Sequence, residues 1–283
     1  MSGPATDGAC DDATGDSRPP TGDTGPDPRA FGGVVAVVFA VAVMATLAQH
    51  AAMTAMGSEP MAGGWMASAA WLRPCGRGAG RAFAAFAGMW GAMTVAMMLP
   101  VLAPTLWRYA RRVGPLATAR SARLVVVAGV GYFSVWMALG ALVFPAGAAL
   151  TAAAARLPVL ARALPFAAGA VVLAAGMLQF TAWKARRLAC CRHTTGDAHR
   201  SPVVAGAAWR FGVRAAGHCG ACCGNLMVIA LAAGMMDLRV MAAVTVAIAA
   251  ERLAPASWGV ARIAGCAALG GGIAMIARAA GLL

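Results

Sequence analysis

Residues 32–48 read GGVVAVVFAVAVMATLA and contain no charged side chain. The apolar stretch continues with few polar interruptions to about residue 57, and a helix that spans a bilayer needs about 20 mostly apolar residues. This stretch therefore predicts a transmembrane helix. Further stretches of the 283-residue chain have the same character, and they alternate with Arg-rich gaps.

Seven such apolar segments can be placed along the chain. They lie near residues 32–57, 83–104, 124–149, 164–183, 219–236, 239–257 and 260–281. Only Met236, Asp237 and Leu238 separate the fifth segment from the sixth, so we expect about seven spans, within a range of five to seven. Asp237 would be the turn residue between them and the N-cap of the sixth helix. The predicted fold class is an all-α, polytopic transmembrane helical bundle.

The first 30 residues differ from the rest of the chain. Six of the ten acidic residues lie within the first 27 positions, among many Gly, Pro, Ser and Thr residues. Such a segment cannot bury a core, and its acidic start is unlike that of a secretory signal. We therefore divide the chain into a disordered acidic Gly/Pro-rich tail at 1–30 and a transmembrane helical domain at 31–283.

Most of the Lys and Arg residues that give the net charge of +13 lie in the gaps between the segments or at the segment ends. Lys and Arg residues in alternate gaps and adjoining segment ends total 16 on one side and 7 on the other. By the positive-inside rule, this places the N-terminus in the cytoplasm and, with seven spans, the C-terminus outside. Because the basic residues are not interleaved with stacking aromatics, nucleic acid is not an expected partner. The expected surroundings are the lipid bilayer of the plasma membrane.

The stretch HCGACCGNLM, from His218 to Met227, has one histidine and three cysteines within six positions. On a helix, Cys219, Cys222 and Cys223 share one face because positions i, i+3 and i+4 are neighbours. Met227 extends this face by one turn, and His218 could join from its edge. We expect the fifth span to begin here, so that the helix N-terminus would favour reactive thiolates at the cytoplasmic surface.

Further soft or ionisable side chains are predicted on the same side of the membrane. Span two carries a methionine stripe near Pro100, the gap after span four carries Cys191, and Glu251 lies late in span six. Thiolates and thioethers favour Cu(I), whereas thiolates with imidazole also suit Zn(II). We therefore expect a copper site rather than a zinc site. Its candidate ligands are Cys219, Cys222, Cys223, His218, Met97, Met98, Met93, Met227, Glu251 and Cys191.

Other interpretations stay open at this point. Cys219-Gly220-Ala221-Cys222 has the CxxC spacing of a membrane dithiol–disulfide oxidoreductase, and the soft residues could instead only pack in a structural or assembly subunit. Glu251 could pair with Arg252 or Lys184 rather than serve a metal. No nucleotide-binding loop or aspartyl-phosphate motif is present, so we expect no ATP-driven pump and no clear enzyme activity.

Four stretches in this order carry a family resemblance: MWGAMTVAMMLP (89–100), GMLQFTAWKARRLACCRH (176–193), GHCGACCGNLM (217–227) and ERL (251–253). Together they resemble a bacterial family of predicted metal-binding integral membrane proteins, a domain of unknown function with members labelled copper chaperones. The resemblance covers roughly residues 30–280. It implies five to seven spans, a metal site, and a protein partner that donates or receives the metal. Two positions depart from the family: Gly224 stands where tryptophan is common, and Arg252 stands where lysine is usual.

Overall fold

A computed structural model describes residues 27–55, 59–61, 65–67, 79–114, 119–193, 204–234, 237–254 and 257–282. The acidic tail predicted at 1–30 lies almost entirely outside these residues. In chain order the elements are α1 (Pro28–Ala55), β1 (Glu59–Met61), β2 (Trp65–Ala67), α2 (Ala79–Val113), α3 (Ala119–Arg156), α4 (Pro158–Leu178), α5 (Ala182–His193), α6 (Ala205–Gly234), α7 (Leu238–Leu253) and α8 (Ser257–Ala279).

The all-helical membrane fold predicted from the sequence is confirmed in class. Within the described residues, six helices are long and apolar enough to cross a membrane, namely α1, α2, α3, α4, α6 and α8. The remaining elements are the short helices α5 and α7 and one antiparallel pair of three-residue strands, β1 and β2. The chain therefore has the architecture of a multi-pass membrane protein.

The sixth apolar segment forms α7, which has only 16 residues. At 1.5 Å per residue this helix is about 24 Å long, less than the roughly 30 Å of a hydrocarbon core. Asp237 is its N-cap, as predicted, and accepts a hydrogen bond from the Arg239 backbone N–H. The helix ends at Leu253, and its C-cap, Ala254, has an extended backbone, as expected for a residue that precedes a proline. This short helix explains why six helices, rather than seven, are long enough to span.

Helix α6 differs from the prediction in its start. The sequence placed the beginning of this span at residue 219. Instead, a single 30-residue helix begins at Ala205. Residues 205–234 contain no proline and are rich in alanine, which has the highest helix propensity.

The buried core forms where α2, α3 and α6 meet. Trp90 on α2 donates its indole N–H to the Trp136 carbonyl oxygen on α3 at 2.8 Å. Tyr109 on α2 stacks on Phe211 of α6, with ring centroids 4.7 Å apart. These contacts join α2 to α3 and α2 to α6.

Two glycines allow α3 and α6 to approach at backbone distance. A methyl group on Gly131 would lie 2.6 Å from the Trp209 carbonyl oxygen, and one on Gly212 would overlap the Ala128 carbonyl oxygen. Small residues permit such close helix–helix packing in membranes. The close approach brings α3 side chains within reach of the cysteines on α6.

We expect the substitution Gly212→Ala to destabilise the protein by at least about 2 kcal/mol, because its methyl group must push α3 away from α6. Thermal unfolding of the detergent-purified protein measures the effect. Gly220→Ala on the same helix is the matched control, since a methyl group there meets nothing within 4 Å. Equal unfolding temperatures for the two variants would contradict the packing argument.

Candidate metal centre

Two free thiols lie side by side in the middle of α6. Cys219 and Cys223 are each 1% exposed, and their sulfur atoms are 3.5 Å apart. The Cys223 thiol also donates to the Cys219 carbonyl oxygen at 2.9 Å. The predicted i, i+4 alignment places both sulfurs on one face of the helix. This pair is the closest approach of two free thiols within the described part of the chain.

The location of the pair differs from the sequence prediction in one respect. The thiols stand half-way along the 30-residue helix, not in its first turn. The helix dipole acts mainly within the first and last turns, so it does not activate these cysteines. Any charge that stabilises a thiolate here must come from side chains.

Cys222 belongs to the same helix but is in a different chemical state. Its side chain is buried and disulfide-bonded. The Cys222 sulfur lies 3.2 Å from the Arg187 carbonyl oxygen on α5. Cys222 could therefore serve as a thiolate ligand only after this disulfide is reduced.

Helix α3 supplies a tyrosine that the sequence reasoning missed. Tyr132 is 1% exposed, and its phenol interacts with both Cys219 and Cys223. Among the described residues, its hydroxyl oxygen has no geometrically well-formed hydrogen bond, and neither has the indole N–H of nearby Trp136. The chain has only two tyrosines. The position of one of them, with its polar hydroxyl group, inside an apolar span was the sequence signal that could have identified Tyr132 as a site residue. The Tyr132 hydroxyl is thus a polar group near the thiol pair without a full partner.

A buried polar network lies behind the cysteines. The Lys184 ammonium group on α5 is 2.8 Å from a Glu251 carboxylate oxygen on α7, and these two side chains are 0% and 1% exposed. Lys184 also donates to the Cys222 carbonyl oxygen at 2.5 Å and to the Asn225 side-chain oxygen at 3.1 Å. The other Glu251 oxygen accepts from the Gln179 amide at 2.8 Å. The pairing of Glu251 with Lys184, left open by the sequence, is confirmed.

The ion pair in this network determines the net charge near the thiols. Lys184 and Glu251 form the only salt bridge within the described residues, and their opposite charges cancel. Arg252, the next residue on α7, acts electrostatically on both Cys219 and Cys223 and has no carboxylate partner in the described part of the chain. The thiol pair therefore faces one uncompensated positive charge.

The predicted methionines lie in the same buried cluster as Cys219 and Cys223. These methionines are Met93, Met97, Met98 and Met227, each 5% exposed or less. His218 is only partly buried, and the Cys191 side chain lies outside the description. No group of three or more His, Cys, Asp or Glu side chains assembles among the described residues.

We expect Lys184→Met to destabilise the protein by about 3 kcal/mol, because it leaves the Glu251 carboxylate buried without a counter-ion. The double variant Lys184→Met, Glu251→Leu removes both charges and should recover part of this loss. Chemical or thermal unfolding of both single variants and the double variant gives the coupling energy. Strictly additive losses would show that the two residues do not stabilise the fold as a pair.

No curated protein and no solved structure matches the chain. The family PpoB2, described as a copper chaperone, matches residues 87–275. The matched region runs from α2 to α8 and includes the thiol pair, the methionines and the ion pair. Since the match covers well over half of the sequence, the chain belongs to this copper chaperone family.

Proposed function

We propose that the protein binds one Cu(I) ion between Cys219 and Cys223 and handles it within the membrane for delivery to, or receipt from, a protein partner. The observation that carries the proposal is the buried pair of free thiols, 3.5 Å apart, on which the Arg252 charge acts. Copper handling also fits the family description. The residues around the thiols favour Cu(I) and offer further ligands.

The spacing of the sulfurs suits a shared metal ion. Two thiolates bound at about 2.3 Å with tetrahedral geometry lie about 3.8 Å apart, only a few tenths of an ångström more than in this structure. Both side chains belong to the same helix, so a small change of rotamer supplies the difference. Metal binding would release the thiol protons and replace the sulfur–sulfur contact.

Charge favours a monovalent ion over a divalent one. Two thiolates with Cu(I) carry a net charge of −1, which Arg252 balances. The same thiolates with Zn(II) are neutral and give the partly buried arginine no opposite charge. The Lys184–Glu251 pair is already neutral in itself and does not alter this balance. The site therefore supports the preference for Cu(I) over Zn(II).

Thioethers would complete the coordination shell. Met227 lies one turn beyond Cys223 on α6, and Met97 and Met98 belong to the same buried cluster. Methionine sulfur is a soft ligand that suits Cu(I). We assign Met93 and His218 to supporting positions, and Glu251 to the role of counter-ion for Lys184. The Tyr132 hydroxyl would donate to a Cys219 thiolate and so supply the partner that it lacks.

The protein would reside in a bacterial plasma membrane with its N-terminus in the cytoplasm. The two most basic gaps, between α2 and α3 and between α4 and α6, lie on the same side because α3 and α4 both have spanning length. The positive-inside rule places that side in the cytoplasm. If α7 does not cross, six spans return the C-terminus to the cytoplasm as well, which differs from the external position expected for seven.

A second function is favoured by one observation, the disulfide at Cys222. A disulfide next to the free thiol of Cys223 is an arrangement in which thiol–disulfide exchange can occur. The CxxC pair considered from the sequence is not the bonded pair, because Cys219 is free. A membrane thiol oxidoreductase would thus use Cys222 and its bonded partner, with Cys219 or Cys223 as the attacking thiol.

Copper stoichiometry under anaerobic, reducing conditions tests the leading proposal. We expect about one Cu(I) per chain in the purified protein, and loss of this copper in Cys219→Ser and in Cys223→Ser. Cys266→Ser is the matched control, because Cys266 is a free but exposed cysteine on α8. A titratable dithiol without bound metal would favour the oxidoreductase, and neither result would indicate a structural subunit.

The charge argument gives a separate expectation for Arg252→Gln. Removal of the positive charge should weaken Cu(I) binding by about tenfold, a change of about 1.4 kcal/mol that is reasonable for a nearby charge at low effective dielectric. Binding of Zn(II) should improve or stay the same. Competition titrations with a Cu(I) chelator and a Zn(II) indicator measure both. Equal weakening for the two metals would point to a structural effect rather than to charge balance.

A further inference from the structure

Arginines from four helices collect at one end of the bundle. Trp107 of α2 packs against Phe31 of α1, with ring centroids 5.2 Å apart, and Tyr109 of α2 stacks on the first half of α6. The Ser121 hydroxyl of α3 donates to the Val113 carbonyl oxygen of α2 at 3.3 Å. The start of α1, the end of α2 and the starts of α3 and α6 therefore share this end. Its exposed arginines, the arginine cluster, are Arg29, Arg108, Arg111, Arg123, Arg210 and Arg214.

This positive charge has little counter-charge in the described part of the chain. The one salt bridge within the described residues includes none of these arginines. Asp27 is the one described acidic residue at this end, and its carboxylate accepts a hydrogen bond from the Arg29 backbone N–H. Between Glu59 and Asp197 the sequence contains no Asp or Glu. Like charges gathered on one surface attract a partner of the opposite sign. The arginine cluster is therefore suited to an anionic partner.

The chain carries its own anionic segment next to this end. Residues 1–26 contain five aspartates and one arginine, so half of the ten acidic residues of the protein lie there. Asp23 precedes Asp27 by four residues, and four extended residues span at most about 14 Å. The acidic segment is thus attached within a short reach of the arginine cluster.

The direction of α1 brings the attachment point to the cluster. Consecutive spans cross a membrane in opposite directions, so the chain before Phe31 extends the same way as the chain after Trp107. These two rings are in contact. Asp27 lies one turn before Phe31, whose backbone N–H donates to the Asp27 carbonyl oxygen at 3.1 Å, and Arg111 lies one turn after Trp107. Asp27 and Arg111 are therefore at matching levels, where the acidic segment begins.

We propose that the acidic segment 1–26 folds back on the arginine cluster and pairs its aspartates with these arginines. Each exposed Asp–Arg pair contributes little by itself, but several pairs can form at once. A short tether also supplies a local concentration of about millimolar. The contact goes beyond the copper function and does not depend on it. It makes this segment a competitor for any other anion, such as a phospholipid headgroup, that approaches the cluster.

Proteolysis by an endoproteinase that cleaves before aspartate tests the contact. The full chain is placed in nanodiscs of phosphatidylcholine, which has no net charge, and a synthetic peptide of residues 1–26 is cleaved separately in the same buffer. At low ionic strength we expect cleavage of the segment in the protein to be about three- to tenfold slower than cleavage of the peptide. The difference should largely disappear in 1 M salt, where the Debye length is about 3 Å.

Matched charge variants locate the contact. Arg108→Gln with Arg111→Gln should bring the cleavage rate close to that of the peptide. Arg156→Gln with Arg162→Gln is the control, because it removes the same charge from exposed positions at the opposite end, where α3 ends and α4 begins; its rate should equal that of the unmodified protein. Unchanged unfolding temperatures show that the fold is intact. Arg210→Gln with Arg214→Gln, on α6, gives a second and independent loss of charge from the cluster.

Four results would overturn the proposal. The first is equal cleavage of the protein and the peptide at low ionic strength, and the second is protection that persists in 1 M salt. The third is equal cleavage of the cluster variants and the control variant, which would assign the protection to the nearby membrane surface. The fourth is loss of protection in nanodiscs that contain phosphatidylglycerol, which would assign the arginine cluster to anionic lipid headgroups instead.

Discussion

The buried ion pair of Lys184 and Glu251 constrains the rest of the structure. Neither charge is tolerable alone in an apolar interior, and the ammonium group needs the Cys222 carbonyl oxygen and the Asn225 side chain as additional acceptors. These bonds join α5, α6 and α7, and Gln179 adds the end of α4. The position of α6 along its own axis is therefore set by polar contacts, and the depth of its cysteines follows from it.

The same pair also determines the electrostatics of the thiols. Since Glu251 is occupied by Lys184, it does not neutralise Arg252, and this arginine remains the counter-charge for Cys219 and Cys223. In the proposed copper site, two thiolates and one positively charged residue suit a singly charged soft metal. The sequence predicted Glu251 as a direct metal ligand. In the structure its effect on the thiols is indirect: because it pairs with Lys184, it leaves the Arg252 charge without a carboxylate partner.

Close packing of α3 against α6 forms the part of the site that contains Tyr132. Gly131 and Gly212 let α3 and α6 meet at backbone distance, and this contact brings the Tyr132 phenol beside the thiols. Such an approach was not predictable from the sequence, because glycine is abundant throughout the chain and only the partner helix shows which glycines are contact points. Gly224, which departs from the family pattern, faces open space instead.

The sequence by itself determined the membrane-helical class, the cysteine face of α6, the methionine stripe and the cap at Asp237, because apolar length, helical periodicity and capping are local properties of the chain. Only the tertiary structure decided the start of α6, the short α7, the partner of Glu251, the bonded state of Cys222 and the place of Tyr132. Each of these depends on contacts between residues far apart in sequence, and burial decides which charges must pair and which thiols can meet.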